Sequence, residues 1–445
     1  MAVAEPIPSI VGALSCQKDS YLRSLETEVV SCTEYVAPKT QKTNGKSKST
    51  KSPDPGKAIG NGEAPSSKTW LIEFADSVLF PEGGGQPTDH GSITPLTSDP
   101  SGAIPITSIQ RHGLRCVHLS SQPLEPGTRV QQDVDFNRRW DHMQQHTGQH
   151  LLSAIMDTMS LPTLSWSMGA AGEMNYIELL RKPSDEELRS IQQRCNEAIR
   201  TNMPITVETP GDAAAHKLPG DYDKEKGVVR FIKIGDLDYN ACCGTHLKQT
   251  SHIGVILLHH MQSVRGTNCR LFFSAGDRAI QLATESINSL RNIAVSLSSG
   301  SAPADVQSSV QRLSDSFADA RKKEKKMLAE IAKYEGDRIK ADLAAGKKAW
   351  CYRATDGLDY INLVVFEVKE AVKERGVVVF ASGEVKTAGS IVIIGEKGLV
   401  ESMATKVKEL VSTAKGGGKG EKWQGKVTEW RKGEIEALKA AVEGQ

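Results

Sequence analysis

Short alternating runs of apolar and polar residues fill the first third of the chain and predict β-strands. The predicted strands lie at 28–32, 70–74, 77–80, 104–109, 116–119 and 128–135. Glycine, proline and aspartate separate these runs at intervals that are typical of a small barrel or sandwich. We therefore predict an N-terminal β-barrel over residues 1–137.

The alternation stops between about residues 36 and 68, where lysine, serine, threonine, proline, glycine and asparagine prevail. Such a segment has too little apolar surface to offset the entropy that it would lose on ordering. We interpret it as a disordered basic insertion, a surface extension for which weak attraction to RNA is the alternative role.

Helical spacing begins after residue 137, with apolar residues on one face over about 138–159. A second helix, predicted at 184–202, opens with Ser184 as its cap and Glu187 three residues later, which is a capping box. Further strands are predicted at 228–234, 255–261 and 269–274. Helices and strands alternate here without a regular repeat, which predicts an α+β central domain over 138–275.

Residues 276–348 are charged and helical in pattern. An apolar stripe advances along them by alternating steps of four and three residues, formed by Val306, Val310, Leu313, Phe317 and Ala320. This spacing predicts a coiled coil or helical hairpin that acts as a spacer or as a dimerisation element.

The last segment, 349–445, predicts a small α/β domain. Buried strands are expected at 361–368, 377–380 and 390–394, with a helix between the first two and another at the C-terminus. A homodimer formed through this domain or through the helical spacer is a further expectation.

The 445-residue chain is 38% hydrophobic and 24% charged, with a formal net charge of +1 at pH 7. No apolar run approaches the roughly 20 residues that span a bilayer, and residues 1–14 lack the basic start of a signal peptide. The eight cysteines show no disulfide-framework spacing and are expected to be reduced thiols. We therefore expect a soluble, cytoplasmic protein of several domains without membrane association.

Two short motifs, about a hundred residues apart, carry metal-ligand chemistry. His146 and His150 are spaced i, i+4 and lie on one face of a helix, and Cys242 and His246 repeat this spacing. Imidazole and thiolate together favour zinc over magnesium or calcium, which bind oxygen. The sequence therefore predicts a zinc site built from two distant segments.

Spacing alone leaves two alternatives open. His142 lies one turn before the first pair, and Cys243 is a neighbouring thiol that could replace Cys242. The first motif has the ligand spacing of the His-Glu-x-x-His zinc proteases, but Thr147 stands where their glutamate base would be. Peptide hydrolysis is therefore disfavoured, whereas attack on an activated ester needs less help from a protein base.

Three motifs resemble a known family. They are Phe-Pro-Glu-Gly-Gly-Gly-Gln-Pro at 80–87, Asp-His-Met-Gln-Gln-His-Thr-Gly-Gln-His at 141–150 and Cys-Cys-Gly-Thr-His at 242–246. In this order they closely resemble the long form of the free-standing alanyl-tRNA editing proteins, relatives of the editing domain of alanyl-tRNA synthetase. The resemblance covers nearly the whole chain except the basic insertion.

The resemblance implies an α+β fold of four parts. These are a small translation-factor-like β-barrel, a central α/β-sandwich editing domain with a zinc site, a helical spacer and a small C-terminal α/β domain. It implies one zinc ion per chain, held by His146, His150, Cys242 and His246. By the same resemblance His142 and Cys243 are not ligands, and the glycine-rich loop borders the amino-acid pocket through Gly83, Gly84, Gly85 and Gln86.

The activity implied is hydrolysis of the ester in tRNA(Ala) that has been mischarged with serine or, in some members, with glycine. Correct Ala-tRNA(Ala) must be spared, which requires a pocket that hydrogen-bonds the serine hydroxyl. Gln149 and Gln86 are candidates for this contact, with Thr147 the less favoured third. Four protein ligands form a closed zinc site, so a tRNA-binding or adaptor protein with structural zinc remains the alternative.

Binding of tRNA to a chain of nearly zero net charge must rely on local basic patches. Arg138 and Arg139 precede the metal-binding helix, and Lys233 lies on the strand before the second motif. A basic tail surrounds Trp423 and Trp430, which are candidates for base stacking. Its cations are Lys415, Lys419, Lys422, Lys426, Arg431 and Lys432.

Overall fold

The computed structural model describes residues 8–35, 68–97, 102–209, 228, 230–374 and 376–444. The predicted basic insertion therefore lies outside the described residues, apart from Lys68. The chain divides into two compact units, Met1–Ser289 and Leu290–Gln445. It is mixed helix and sheet, as predicted; the four-part division at residues 137, 275 and 348 stays a prediction.

Seven strands of the first unit form one antiparallel, nearly closed sheet. They are β1 (Ser24–Glu34), β2 (Trp70–Phe74), β3 (Gly91–Pro95), β4 (Ile104–Ile106), β5 (Ile109–His112), β6 (Arg115–Ser120) and β7 (Arg129–Val134). Their order is β4-β3-β7-β1-β2-β6-β5. The long β1 pairs with β7 through its first half and with β2 through its second half, and a bulge between Val29 and Ser31 bends it there. The barrel-like N-terminal sheet is confirmed.

The strand predicted at 77–80 is wrong. Ser77, Val78, Leu79 and Phe80 are all buried, but their backbone amides donate to side chains instead of to a neighbouring strand. The Val78 amide donates to Gln132 Oε1, and the Phe80 amide donates to Asp89 Oδ2. The apolar pattern therefore predicted the burial of these residues correctly and their secondary structure incorrectly.

Helices of the first unit include α1 (Ser15–Lys18), α2 (Phe136–Asp157) and α3 (Asp185–Arg200). Helix α2 begins after Asp135, whose carboxylate accepts a hydrogen bond from the Arg138 amide. Helix α3 has the predicted capping box, with Ser184 and Glu187 each bonded to the other's backbone. Both predicted helices are thus confirmed within two residues of their ends.

Two small antiparallel sheets complete the first unit. Their strands are β8 (Thr163–Ser167), β9 (Asn175–Leu179), β10 (Ile205–Glu208), β11 (Phe231–Ile234), β12 (Asp238–Ala241), β13 (Ile256–Ser263) and β14 (Cys269–Ala275). One sheet has the order β10-β11-β12 and the other β13-β14-β9-β8. They share a hydrophobic core with α2 and α3. The predicted strands at 228–234, 255–261 and 269–274 correspond to β11, β13 and β14.

The second unit follows helix α4 (Gly276–Ser296), which crosses the boundary between the units. Its elements are α5 (Pro303–Ala344), β15 (Ala349–Arg353), α6 (Gly357–Glu374), β16 (Val377–Ser382), β17 (Gly389–Gly395), α7 (Lys397–Leu410), β18 (Ala414–Gly417), β19 (Lys422–Val427) and α8 (Glu434–Glu443). The five strands form one sheet in the order β15-β16-β17-β19-β18. Alternate residues of β16 face α7 and α8 on one side and α5 and α6 on the other.

Residues 361–368 form part of helix α6, so the strand predicted there is wrong. Tyr360, Ile361, Val364 and Val368 pack at helical spacing against the sheet, while Phe366 on the opposite face is 67% exposed. A short run rich in valine fits a buried strand and a buried helix equally well. The first strand of this sheet is β15, and the helix follows it directly.

The predicted apolar stripe lies on α5 and is largely exposed. Val306 is buried, but Val310, Leu313 and Phe317 are 49%, 58% and 63% exposed. Within the described ranges, no helix combines the length and apolar character that crossing a membrane requires.

Candidate metal centre

Four side chains from two distant segments converge on one point. The ligand atoms of His146, His150, Cys242 and His246 all lie within 4.8 Å of one another. Cys242 Sγ is 3.4 Å from His146 Nε2 and 3.3 Å from His246 Nε2. These are the four ligands predicted, and the group could hold a metal ion.

The fold positions the two pairs by different means. His146 and His150 project one turn apart from the buried middle of α2. Cys242 and His246 lie in the loop that follows β12, where Gly244 passes so close that a Cβ atom there would lie 2.4 Å from His146 Cε1. Glycine is therefore required at the centre of this motif because the loop backbone contacts a ligand ring directly.

Each histidine ring has a separate partner at Nδ1, which leaves Nε2 for a metal. His146 Nδ1 is 3.0 Å from Gln86 Oε1, and His246 Nδ1 is 3.3 Å from Thr147 Oγ1. His150 Nδ1 is 3.1 Å from a carboxylate oxygen of Asp238. Such partners fix the tautomer and orientation of metal-binding histidines. Asp238 was not predicted, because no local pattern links it to His150.

The metal-free cluster combines a thiolate with a protonated imidazole. Burial opposes ionisation of the Cys242 thiol, but the imidazoles of His146 and His246 hold its pKa well below the ordinary value. Burial also opposes protonation of His150, but its hydrogen bond with Asp238 and the Cys242 thiolate raise its pKa to about 10. For His246 burial prevails and lowers the pKa to about 3. A thiolate is thus ready for a metal at neutral pH.

The glycine-rich loop forms a tight turn against this cluster. The amides of Gly83 and Gln86 exchange hydrogen bonds with each other's carbonyls at 3.0 and 3.1 Å, and Gly84 and Gly85 between them have φ of +62° and +79°. Positive φ at both central residues is typical of a type I′ turn and favours glycine. A Cβ atom on Gly84 would lie 3.2 Å from Cys243 Sγ, so the neighbouring thiol packs against the turn.

A buried arginine holds the second motif in place. The Arg230 guanidinium donates to the carbonyls of Cys242, Gly244 and Gln17 at 3.1, 3.0 and 2.8 Å. The Gln17 side chain in turn donates to the Cys243 carbonyl at 2.7 Å. This network joins α1 to the ligand loop. Neither residue was predicted, because the bonds reach backbone atoms far away in sequence.

A cavity of about 830 Å³ opens beside the cluster. Its wall includes His146, His150 and Cys242, together with Gly84 of the glycine turn and Trp166 of β8. Ligand pockets for small molecules typically enclose roughly 300–1,000 Å³. The cavity is therefore large enough for a ligand of nucleoside size.

The three predicted polar candidates occupy different places. Gln149 lines the cavity and donates to Ser153 Oγ at 2.8 Å. Thr147 is buried and also accepts from the Leu247 amide at 3.1 Å, while Gln86 donates to Thr245 Oγ1 at 2.8 Å. Gln86 and Thr147 are thus occupied in orienting ligand histidines, and Gln149 alone of the three reaches the cavity wall.

The cations predicted to contact tRNA differ in how far they are buried. Arg139 is fully buried in an ion pair with Asp89 and donates to the Val78 carbonyl, so it no longer counts as a tRNA contact. Arg138 and Lys233 are half-buried. Trp423 and Trp430 are buried in the second unit's core, which excludes the predicted base stacking. The cations around them are exposed at Lys415, Lys419, Lys422, Lys426, Arg431 and Lys432.

Comparison with known proteins defines the class first. Residues 229–272 match the family model described as the threonyl and alanyl tRNA synthetase second additional domain. This stretch spans β11, β12, the Cys242–His246 loop and β13. The part of the chain with the second ligand pair is therefore a domain of the kind found in these synthetases.

Relatives of full length then give the family. A putative alanyl-tRNA editing protein alaX of Saccharomyces cerevisiae is 34% identical over 97% of this chain and 96% of its own length. The alanyl-tRNA editing protein Aarsd1 of Danio rerio is 31% identical over 96% and 97%. An alanine–tRNA ligase of Pyrococcus abyssi is 27% identical over 84% of this chain but 40% of the ligase. The chain belongs to the alanyl-tRNA editing protein family.

Proposed function

We propose that the chain is a trans-editing hydrolase that deacylates tRNA(Ala) mischarged with serine, with glycine as a second substrate, and spares Ala-tRNA(Ala). The observation that carries the proposal is the convergence of three imidazoles and one thiol beside the cavity of about 830 Å³, whose wall includes His146, His150 and Cys242. The names of the relatives at 34% and 31% identity support it, because both are alanyl-tRNA editing proteins.

The donor set fits zinc. With Zn–S near 2.3 Å and Zn–N near 2.05 Å, a tetrahedral site separates its sulfur and nitrogen atoms by about 3.6 Å. The distances of 3.4 and 3.3 Å from Cys242 Sγ to His146 and His246 are close to this value. One ion per chain would be held by His146, His150, Cys242 and His246.

An aminoacyl ester has a good leaving group in the ribose hydroxyl. Bound zinc would supply Lewis acidity toward the ester carbonyl or toward water. The chain itself contributes orientation, because Gln86, Thr147 and Asp238 each fix one ligand ring. Trp166, whose ring lies 4.9 Å from that of His146, and Gly84 of the glycine turn form part of the cavity wall beside the cluster.

Selection of serine over alanine requires polar groups that only the serine hydroxyl satisfies. Gln149 is the leading candidate, because its amide begins a chain of hydrogen bonds along the cavity wall. It donates to Ser153 Oγ at 2.8 Å, and Ser153 Oγ lies 2.7 Å from Thr163 Oγ1. Alanine would leave part of this chain without a partner, which costs binding energy. Glycine also lacks the hydroxyl, so we expect its ester to be hydrolysed more slowly than that of serine.

Contact with tRNA is assigned to cations that are half-buried in the first unit and exposed in the second. Arg138 and Lys233 belong to the first unit, and the second unit adds the lysine-rich strands β18 and β19. Each phosphate neutralised by such a cation makes binding more sensitive to salt. We expect these cations to supply affinity for tRNA, while the cavity selects the amino acid.

The activity is assigned to the cytoplasm. All eight cysteines are free, and Cys242 must remain a reduced thiolate to act as a ligand. A reducing compartment maintains this state.

The test is a deacylation assay with purified wild type and Cys242→Ala. We expect the wild type to release serine from Ser-tRNA(Ala) and leave Ala-tRNA(Ala) intact, while the variant is inactive but keeps its circular dichroism spectrum. Asp236→Asn, an exposed change on the turn before β12, is the matched control and should retain full activity. Hydrolysis by Cys242→Ala at the wild-type rate would refute the metal-dependent reaction.

A non-enzymatic tRNA-binding protein with structural zinc is the rival. It is favoured by the four protein ligands, which complete a tetrahedral set without a substrate position. If Cys242→Ala unfolds, a zinc-loaded Gln149→Ala variant distinguishes the hydrolase from the non-enzymatic tRNA-binding protein. Slower serine release at unchanged metal content supports the hydrolase, and a wild type that binds tRNA without releasing serine supports the rival.

A further inference from the structure

The four-stranded sheet β13-β14-β9-β8 has one face in the core and an opposite face outside it. Strand pairing fixes the residues of this outer face, because directly opposed residues share a face. Phe272 of β14 opposes Tyr176 of β9, and Tyr176 opposes Ser167 of β8. In β13 a register shift between Leu258 and Met261 brings His260 beside Phe272. The outer face therefore carries a row of three rings across three strands.

The rings of this row are close together and partly accessible. His260 stacks on Phe272 with centroids 4.5 Å apart and an interplanar angle of 15°, and Tyr176 lies 5.8 Å from Phe272. His260 is exposed, and the other two rings are half-buried. The Arg270 guanidinium lies 4.4 Å above the Tyr176 ring and 3.5 Å from the Glu178 carboxylate.

A second cavity, of about 370 Å³, opens at this row. Tyr176, His260 and Phe272 form one side of it, and Met168 and Met174 form another. The loop between β8 and β9 forms another part of the wall, and Arg278 holds it in place. The Arg278 guanidinium pairs with Asp141 and donates to the carbonyls of residues 169, 170 and 173. The cavity is thus preformed; its walls are mainly apolar but include Glu173, and the Arg270 guanidinium lies over the Tyr176 ring.

Strand β8 connects this cavity to the metal centre. Residues 162–166 line the larger cavity, and Ser167 with Met168 lines the smaller one. At about 3.3 Å per residue, the two cavities are separated by only a few residues of one edge strand. Because β8 is the edge strand of its sheet, a ligand extending from the metal centre can pass around this edge toward the ring row.

We propose that this ring row binds unpaired nucleobases of RNA, namely those next to the nucleotide that carries the ester. Successive aromatic side chains on an open sheet face stack single-stranded bases without strict sequence preference, and Arg270 adds a cation for stacking or phosphate contact. The proposal rests on the proposed function for the identity of the RNA, but the stacking itself can be measured without catalysis.

The experiment compares two fluorescein-labelled RNA stems by fluorescence anisotropy. One stem has an unpaired 3′ end of four nucleotides, and the other is blunt. We expect His260→Ala and Phe272→Leu to raise the Kd for the first stem by at least about fivefold each and to leave the Kd for the blunt stem unchanged. Phe272→Tyr, which keeps a ring, should bind as tightly as the wild type.

Controls separate stacking from folding. Phe366→Leu removes a 67% exposed ring from α6 in the other unit and should leave both Kd values unchanged. His260 is exposed, so His260→Ala carries the test if Phe272→Leu loses its thermal transition. An unchanged Kd for the unpaired stem in folded His260→Ala and Phe272→Leu would overturn the proposal, as would equal losses on both stems.

Deacylation separates this proposal from the proposed function. If the wild type hydrolyses Ser-tRNA(Ala), His260→Ala should raise KM and leave kcat nearly unchanged. An unchanged KM would refute the proposed role of the ring row but not the proposed function. If the wild type hydrolyses nothing, the proposed function fails, and the anisotropy result still decides whether the ring row binds unpaired RNA.

Discussion

The three ligand histidines differ in what holds their Nδ1 atoms: an amide oxygen for His146, a hydroxyl for His246 and a carboxylate for His150. A carboxylate partner makes the imidazole a stronger ligand than a neutral partner does. His150 should therefore be the ligand whose support contributes most to metal affinity.

Asp238→Asn tests this support. Asp238 accepts from His150 at one oxygen and from Asn240 at the other, so an asparagine must turn its NH₂ group toward one of two donors. We expect zinc affinity to fall about 10–100-fold, measured by competition with a chromophoric chelator. The exposed Asp236→Asn should change nothing, and an unaltered affinity in Asp238→Asn would mean that the carboxylate does not support His150.

Metal binding should also depend on pH in a defined direction. The metal-free cluster keeps His150 protonated below its pKa of about 10, whereas Cys242 is already a thiolate. Zinc requires neutral His150, so binding near pH 7.5 must release this proton, and affinity must rise with pH through neutrality. Calorimetry in buffers of different ionisation enthalpy measures the release. Binding without proton release would contradict the assigned charge states.

At the scale of elements, the glycine turn is the part most sensitive to a single methyl group. A Cβ atom on Gly85 would lie 2.7 Å from the Trp166 ring, at a φ of +79°. Gly113 has a similar φ of +67° but open space around it. Alanine at Gly113 therefore introduces backbone strain alone, whereas alanine at Gly85 adds a steric contact with the cavity wall.

We expect Gly85→Ala to lower kcat/KM for Ser-tRNA(Ala) by at least about tenfold, because Trp166 must move away from the metal centre. Both substitutions place alanine at a positive φ, so each should lower the free energy of unfolding by about 1 kcal/mol. Gly113→Ala should do so without loss of activity. Equal activity in the two variants would show that the turn does not shape the active cavity.

The elements also show what the sequence could predict. The capping box at Ser184 and the i, i+4 ligand pairs were found because local spacing determines them. Residues 361–368 were assigned to a strand because valine-rich burial looks the same in a helix. Asp238 and Arg230 were missed because their partners lie far away in sequence, where only the tertiary fold brings them together. The four residues of the candidate metal site were thus predictable from the sequence, but the residues that hydrogen-bond to them were not.

At the scale of the whole molecule, the described residues include an exposed apolar stripe on α5. Leu313 and Phe317 are 58% and 63% exposed at coiled-coil spacing. We predict that the chain self-associates through this stripe, and that Leu313→Asp with Phe317→Asp gives a monomer by light scattering. Lys322→Asp, an exposed change on the same helix, should not alter the mass. A monomeric wild type would remove the stripe from consideration as an interface.

The editing-protein relatives of Saccharomyces cerevisiae and Danio rerio match this chain over 97% and 96% of its length, so both units belong to the account of function. The central claim nevertheless concerns one point, the metal centre. Its most direct test is single-turnover deacylation of Ser-tRNA(Ala) by protein stripped with a chelator and then titrated with zinc. The account predicts that stripping lowers the rate at least about a hundredfold and that one equivalent of zinc per chain restores it. A stripped, folded protein that keeps the full rate would contradict the account.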